Sequence, residues 1–281
     1  MKQILSGFTL VFLIIIAGLC VVPLLFLATG SLMDSSQLNE FLKPIYGGIS
    51  AYVKPAWIPD RPTMKFYAQL LDTPEFFIVF WNSVKITVSI LFAQLLIGIP
   101  AAWALARFKL PGMRTIYFLY IVLMLMPFQV TMLSSYLVLN QLRLLGKTMG
   151  VVFLAAFSTF PVFIMYRFFK GIPEAIIESA QLDGANQLRI CVHIGVPLGS
   201  AGVISMLILG FLEYWNMIEQ PMTFLKDQKL WPLALYLPNV NFDKAGYILA
   251  GSVVTLLPSL FLFFGGQDYL EQGIAATAVK E

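Results

Sequence analysis

Charged residues divide the chain into segments, and six of the segments between them are long and uncharged. Only six runs without Asp, Glu, Lys or Arg reach 18 residues, at 3–33, 86–106, 115–142, 148–166, 190–212 and 245–267. Because an α-helix rises 1.5 Å per residue, about 20 apolar residues cross the roughly 30 Å hydrocarbon layer of a membrane. Lipid offers the backbone no hydrogen-bond partners, so helices are the expected way across. The pattern predicts an all-α membrane protein with six transmembrane helices.

The composition agrees with a membrane protein and excludes several other classes. Of the 281 residues, 59% are hydrophobic and 12% are charged, against about 25% charged in ordinary soluble domains. The net charge of +3 is small and dispersed, which argues against nucleic acid as a partner. The two cysteines, Cys20 and Cys191, have no metal-ligand spacing. We therefore expect contact with membrane lipid and no metal or cofactor bound by this chain.

An even number of spans places both termini on one side of the membrane. That side carries eight Lys and Arg in 47 residues, against ten in 89 on the other, which favours cytoplasmic termini. The prediction is a single transmembrane domain, 1–281, with an extracytoplasmic loop at 34–77, a cytoplasmic loop at 170–196 and a cytoplasmic tail at 268–281. Tryptophan side chains near span ends are expected to lie at the membrane interfaces, namely Trp81, Trp103, Trp215 and Trp231.

The cytoplasmic loop 170–196 has helix signals of its own. Pro173 suits the first position of a helix, and Glu174 and Glu178 favour its positive amino-terminal end. The helix is expected over 173–183, with Gly184 in the left-handed conformation that ends it. A second short helix is expected from Ala185 to about Ile194, broken by Gly195 and Pro197. Interfacial membrane helices are usually rich in Lys and Arg, so this acidic helix favours docking in a partner's groove.

The same loop resembles the signature of permease subunits from ATP-driven, binding-protein-dependent importers. That signature reads Glu-Ala-Ala, three residues, Gly, nine residues, Ile, one residue, Leu-Pro. This chain has Glu178-Ser179-Ala180, Gly184, Ile194 and Val196-Pro197 at the same intervals. Ser179 and Val196 are conservative departures. The resemblance implies the type I importer permease fold, with a cytoplasmic coupling helix between the fourth and fifth spans.

Further segments are similar to carbohydrate-type importers in particular. They are Phe80-Trp81-Asn82-Ser83, Met126-Pro127-Phe128-Gln129-Val130, Trp215-Asn216 and the tail from Gln267 to Gly273. The similarity covers most of the chain from residue 78 onward and is only loose over 34–77.

The resemblance implies that the chain forms half of a translocation pathway in a bacterial cytoplasmic membrane. The other half would be a second homologous permease, and an extracytoplasmic binding protein would deliver a sugar or oligosaccharide. Two ATPase subunits would hold ATP and Mg²⁺ and would move the 173–190 helix. The residues implied in ATPase coupling are Glu174, Glu178, Ser179, Ala180, Asp183, Gly184, Ile194 and Pro197. Glu178 and Gly184 would be the contacts, Asp183 and Ala180 would shape the docked helix, and Gln272 and Gly273 in the tail would also contact the ATPases.

No enzymatic activity is expected from this chain itself. Gly146-Lys147-Thr148 resembles the end of a phosphate-binding loop, but the pattern requires Gly where the chain has Gln141. A serine protease is disfavoured as well, because the only histidine, His193, lies seven residues from Ser200 in the same segment.

Polar residues in or near the spans leave two interpretations open. Either they face the translocation path or the partner permease, or they join helices of this chain; the residues are Gln94, Gln129, Glu213 and Asn216.

Two alternatives to a sugar importer also remain. One is the same machinery with a non-sugar solute. The other is an ion-coupled transporter that works alone, which would be expected to carry charged residues in mid-span, whereas the six windows contain none.

Overall fold

The structure is a computed structural model that describes residues 2–46, 57–240 and 244–278. Over these ranges the chain is helical and contains no strand. A π-helical turn, Cys191–Gly195, and 3₁₀ turns at Gln228–Leu230 and Leu237–Asn239 join some of the helices. The α-helices are α1 (Lys2–Ser31), α2 (Ser35–Tyr46), α3 (Lys65–Asp72), α4 (Pro74–Arg107), α5 (Met113–Met124), α6 (Phe128–Gln141), α7 (Thr148–Ala156), α8 (Phe160–Gly171), α9 (Glu174–Leu182), α10 (Gln187–Ile190), α11 (Val196–Leu198), α12 (Ser200–Trp215), α13 (Glu219–Phe224), α14 (Leu233–Tyr236) and α15 (Ala245–Ala278).

Four of the apolar windows correspond to helical segments long and apolar enough to cross a membrane. These segments are Thr9–Ser31, Pro74–Arg107, Thr148–Gly171 and Ala245–Glu271. The third of them joins α7 and α8. Length and composition therefore agree with the sequence pattern for the first, second, fourth and sixth windows.

The other two windows contain bent helix pairs instead of continuous helices. In the window 115–142, α5 and α6 meet at an angle of 101°. Pro127 stands at this break in an extended conformation. The helix is interrupted here because proline lacks an N–H and disfavours helix in the residue before it. In the window 190–212, the segment Gln187–Leu198 meets α12 at 75°. By length and composition, the described residues contain up to six segments able to cross a membrane if each bent pair is counted as one.

One of two compact units comprises the residues up to Phe77 together with Tyr236–Leu257. Its core contains Met33, Leu38, Phe66 and Ala250. The backbone N–H of Thr63 donates to the carbonyl of Leu32 at 2.9 Å. This unit includes the segment 34–77, which contributes α2 and α3, while residues 47–56 lie outside the described residues.

The second unit comprises Ile78–Leu235 and the chain from Pro258 onward. Helix α4 runs through both of its cores. One core surrounds Ile86 and Ile90, and the other surrounds Ala102 and Trp103. The second core also receives side chains from the 170–196 loop, so this unit positions the loop. The expected single domain over 1–281 stays a prediction.

Glycines let α12 pack directly against α8 within this unit. A Cβ at Gly202 would lie 2.5 Å from Cδ2 of Phe168, and one at Gly199 would lie 2.7 Å from Cε1 of Phe169. Real side chains do not approach so closely, so only glycine fits without a shift of the aromatic rings. Small residues are typical of close helix contacts in membranes.

We predict that Gly202→Ala destabilises the chain although alanine is the better helix former. Overpacking against Phe168 costs about 1–3 kcal/mol, more than the roughly 1 kcal/mol that alanine gains in a helix. Gly265→Ala is the matched control, since a Cβ there meets no atom within 4 Å. Thermal unfolding in detergent should show a lower midpoint for Gly202→Ala and an equal or higher one for Gly265→Ala. Equal midpoints in both variants would contradict this packing.

Candidate functional site

Helix α9 in the 170–196 loop ends in a complete glycine turn. Gly184 has φ +81°, and its N–H donates to Gln181 O at 3.0 Å, while Ala185 N–H donates to Ala180 O at 3.0 Å. This pair of hydrogen bonds defines the Schellman motif. A Cβ at Gly184 would meet no atom within 4 Å, so glycine is needed for its conformation and not for space. The left-handed Gly184 expected from the sequence is present.

One side of α9 is fixed to the core and the other side is exposed. Ile177 and Ala180 are buried in the same cluster as Phe169 and Ile190. Ile176, the neighbour of Ile177 in the chain, is 40% exposed, because successive helical residues are rotated by about 100°. The exposed side carries four of the eight loop residues singled out in the sequence: Glu174, Glu178, Ser179 and Asp183.

Exposed leucines accompany these acidic residues and were missed by sequence reasoning. Leu182 is 88% exposed and Leu188 is 67% exposed. Leu182 is the last residue of α9, and Leu188 lies in the first turn of α10. Leu182 directly precedes Asp183 in the chain, and the exposed side of the loop therefore has a mixed acidic and apolar character suited to a protein partner.

The second helix of the loop begins and ends differently from the expectation. Asn186 caps it, because its side chain accepts a hydrogen bond from Arg189 N–H at 2.8 Å. The helix continues through the π turn and α11 as far as Leu198, so the expected break at Gly195 and Pro197 is wrong. Pro197 lies in α11, two residues after the end of the π turn. The bend falls at Gly199; Ile194 is half-buried and Pro197 exposed.

Residues near the end of α4 hold the loop in place. The Arg107 guanidinium donates from Nη2 to Phe169 O at 2.5 Å and to Ile172 O at 2.6 Å. Trp103 packs edge-to-face on Phe169, with ring centroids 5.6 Å apart. Trp103 and Trp215 are 3% and 2% exposed, so their interpretation as interfacial anchors is wrong. In the sequence analysis Arg107 is only one of the eight Lys and Arg residues counted on the cytoplasmic side.

An exposed ion pair joins the segment after α4 to α9. Lys109 Nζ lies 2.7 Å from Glu174 Oε1. The hydrogen bond and the charge of Lys109 lower the pKa of Glu174, and the same contact raises the pKa of Lys109. The pair therefore stabilises the fold at neutral pH, although both side chains are solvated and salt screens the attraction.

The four polar residues near the spans have different surroundings. Gln94 is 1% exposed, and its Nε2 donates to Ala155 O at 2.8 Å and to Tyr214 OH at 2.7 Å. Gln129 and Asn216 are exposed: Gln129 Nε2 donates to Glu219 Oε1 at 2.9 Å, and Asn216 Nδ2 donates to Leu212 O at 2.8 Å. Glu213 is exposed near the end of α12. Gln94 thus joins α4, α7 and α12, while the other three are open to solvent, lipid or a partner.

The tail continues as part of α15, which extends to Ala278. The backbone of Gln272 and Gly273 is helical, whereas their side chains lie outside the described residues. Ser205 Oγ donates to Tyr269 O at 2.6 Å, which joins the beginning of the tail to α12. Among the described residues, no group of three His, Cys, Asp or Glu is arranged to hold a metal ion.

Solved structures share this arrangement of helices. The chain matches a crystal structure of a bacterial ABC transporter involved in the import of the acidic polysaccharide alginate, with a TM-score of 0.81 and 21% identity, covering 95% of this chain and 96% of that one. A crystal structure of a bacterial alginate ABC transporter in complex with an alginate pentasaccharide-bound periplasmic protein matches with a TM-score of 0.60 and 15% identity, covering 96% and 97%. These matches confirm the fold of an ABC importer permease.

Residues 94–276 match the family model described as binding-protein-dependent transport system inner membrane component. The match spans more than half of the chain and includes the whole 170–196 loop. The chain belongs to this family, and it is therefore a multi-pass membrane subunit of a transport system.

Three curated relatives are named as permease proteins of uptake or transport. The diacetylchitobiose uptake system permease protein NgcG of Streptomyces coelicolor is 27% identical over 258 residues, which is 89% of this chain and 81% of the relative. The arabinooligosaccharides transport system permease protein AraQ of Halalkalibacterium halodurans is 27% identical over 271 residues, 94% and 93%. The osmoprotective compounds uptake permease protein GgtD of Synechocystis is 29% identical over 220 residues, 76% and 74%.

We predict a small, pH-dependent coupling between Lys109 and Glu174. Because the folded-state pKa of Glu174 is lowered, its contribution is present above the ordinary carboxylate value near 4.3 and is lost as pH falls through the lowered value. A double-mutant cycle with Lys109→Met and Glu174→Gln isolates the pair. The coupling should be measurable at pH 7 in dilute buffer, and vanish in about 1 M salt or in acid. A coupling that persists in acid would contradict the assignment.

We also predict that position 184 tolerates asparagine better than valine. Both substitutions add a side chain into open space, but asparagine adopts positive φ far more readily than a β-branched residue. Gly184→Val should lower the thermal unfolding midpoint, and Gly184→Asn should lower it much less. Equal losses would show that the conformation of Gly184 is not what the turn requires.

Proposed function

We propose that this chain is the membrane-spanning subunit of an ATP-driven importer and provides half of the translocation pathway for a sugar or oligosaccharide. A second, homologous permease would supply the other half. Two ATPase subunits would hold ATP and Mg²⁺, and an extracytoplasmic binding protein would deliver the solute. The family membership and the two relatives named for diacetylchitobiose and arabinooligosaccharides support this proposal.

The observation that carries the coupling part of the proposal is the two-sided construction of α9. Ile177 and Ala180 fix it to the core, while Glu178 and Leu182 lie exposed on the opposite side. A partner that moves the exposed side must therefore move the core as well. The residues proposed for ATPase coupling from the signature lie on this loop: Glu174, Glu178, Ser179, Ala180, Asp183, Gly184, Ile194 and Pro197. Because Ala180 is buried, it would act by holding the helix in place and not by contact with an ATPase. Gln272 and Gly273 are further proposed contacts in the tail.

The thermodynamic requirement for coupling is that ATP binding favours one state of the transporter over another. A ligand shifts an equilibrium only by its differential affinity for the two states. ATP bound between the ATPases would favour the state in which they close on each other, and α9 would transmit that closure to the helices. The chain would contribute α9, which transmits the movement, and half of the pathway, and the ATPases would carry out hydrolysis.

We propose that both termini and the 170–196 loop face the cytoplasm. The charges of Arg107, Lys109 and Arg114 support this orientation, because positive residues are enriched on the cytoplasmic side of short loops. The same orientation would place α9 beside the soluble ATPases. Gln129, Glu213 and Asn216 would face the pathway or the second permease, which their exposure allows.

A non-sugar solute is the second candidate for the same machinery. The relative GgtD is named for the uptake of osmoprotective compounds, so similar chains serve more than one solute class. Uptake assays in a deletion strain, with N,N′-diacetylchitobiose, arabino-oligosaccharides and a compatible solute as probes, separate the candidates. Loss of uptake for a sugar probe supports the first, and loss for the compatible solute alone supports the second.

We predict that Glu178→Lys abolishes uptake without changing the affinity of the binding protein for its solute. The substitution reverses a charge on the exposed side of α9, where electrostatic complementarity to a partner would be lost. Glu40→Lys, on the exposed surface of α2, makes the same charge change away from the loop. Radiolabelled uptake measures transport, and co-purification in detergent measures whether the ATPase remains bound. Normal uptake by Glu178→Lys, or transport by the chain alone in liposomes without ATP, would contradict the proposal.

A further inference from the structure

Helix α4 contacts both ends of the 170–196 loop, although it is not the covalent neighbour of either end. At the beginning of the loop, Arg107 donates hydrogen bonds to the carbonyls of Phe169 and Ile172. At the far end, the ring of Trp103 lies so close to Gly195 that a Cβ there would overlap it. Since residues 103 and 107 are one helical turn apart, a single face of α4 makes both contacts.

The chemistry of Arg107 suits this position. The last carbonyls of a helix have no partner within that helix, and a cation is favourable at a helix carboxyl end. Arg107 satisfies the carbonyl of Phe169 near the end of α8 and that of Ile172 just before α9. Its Cζ also lies 5.6 Å from the centroid of the Trp103 ring, within the range of a cation–π interaction. The two α4 contacts therefore support each other.

Besides the buried side chains of Ile177 and Ala180 and the exposed pair of Lys109 with Glu174, α9 is connected to the membrane helices through its neighbours along the chain. Residues 172–173 join it to α8, and α10 and α11 lead to α12. Arg107 joins α4 to the carbonyls of Phe169 and Ile172, just before α9 begins, and α4 extends from this core to the other core around Ile86 and Ile90. Gln94 joins the middle of α4 to α7 and α12. A displacement of α9 that carried α4 with it would reach both cores of this unit.

We infer that Arg107 is a positioning residue that transmits the displacement of α9 to α4, with the Trp103 ring as its platform. This inference rests on the proposed coupling function. Arginine is suited to the role because its planar fork holds two acceptors at once, whereas lysine offers a single, mobile ammonium group.

A purely structural cap on α8 would have a different consequence from a transmission contact. Loss of a cap would lower the stability of the chain and the amount of assembled importer. The assembled fraction would still respond normally to the loaded binding protein. Loss of transmission would leave assembled importer whose ATPase responds weakly. The ratio of ATPase rates with and without the binding protein therefore separates the two explanations.

The experiment uses the complete importer in liposomes with its partner permease, ATPases and binding protein. The probes are N,N′-diacetylchitobiose and arabino-oligosaccharides, and rates are normalised to assembled complex. Arg107→Met removes the bridging donor, and Arg114→Met removes the same charge from an exposed position in the adjacent segment. We expect Arg107→Met to lower the stimulation ratio about tenfold, within the usual range of coupling between sites, and Arg114→Met to leave it at the wild-type value.

Arg107→Lys keeps the charge but not the fork, and it should give an intermediate ratio. If Arg107→Met does not assemble, Arg107→Lys decides the question. A wild-type ratio in Arg107→Met would overturn the inference. So would a wild-type ratio in Arg107→Lys, because charge alone would then suffice. If instead the wild-type importer fails to respond to a loaded binding protein with either sugar probe, it is the proposed sugar-import function that fails.

Discussion

The burial of Ile177 and Ala180 is the interaction on which the rest of the account depends. These two small contacts hold an otherwise exposed, acidic helix against the core formed by α4, α8 and α12. Without them, α9 would be a tether between two spans, and a force on its outer side would be lost in the loop. With them, the helix and the core move together. The Gly184 turn and the Asn186 cap then fix the direction in which the chain leaves α9.

The loop is held by three kinds of interaction, and they differ in how strongly solvent weakens them. Apolar burial around Phe169 and Trp103 is shielded from salt and pH. The hydrogen bonds from Arg107 are half-buried and carry a full charge, which strengthens them. The ion pair of Lys109 with Glu174 is exposed and contributes least. The geometry of the loop therefore depends on packing and on Arg107, with the surface charges left for a partner.

Local features of the fold could be predicted from the sequence because their causes are local. Uncharged windows predicted the membrane segments, and the left-handed turn at Gly184 followed from the ending of a helical pattern. Features that depend on distant partners could not be predicted. Arg107 binds carbonyls 62 and 65 residues away, and the burial of Trp103 depends on Phe169 and Gly195. Pro197 was expected to break a helix, but the helical segment continues from the π turn past Pro197 to Leu198.

Cross-linking from Leu182 tests most directly whether an ATPase subunit covers the outer side of α9. Leu182→Cys, in a chain carrying Cys20→Ser, places a reactive thiol on the most exposed part of that side. A cross-linker with a maleimide at one end and a photoreactive group at the other, applied to native membranes and illuminated, should join the chain to an ATPase subunit, with a yield that changes when ATP is added. If the introduced thiol reacts freely with maleimide and forms no cross-link to an ATPase with or without ATP, α9 does not transmit the movement of an ATPase to the membrane helices.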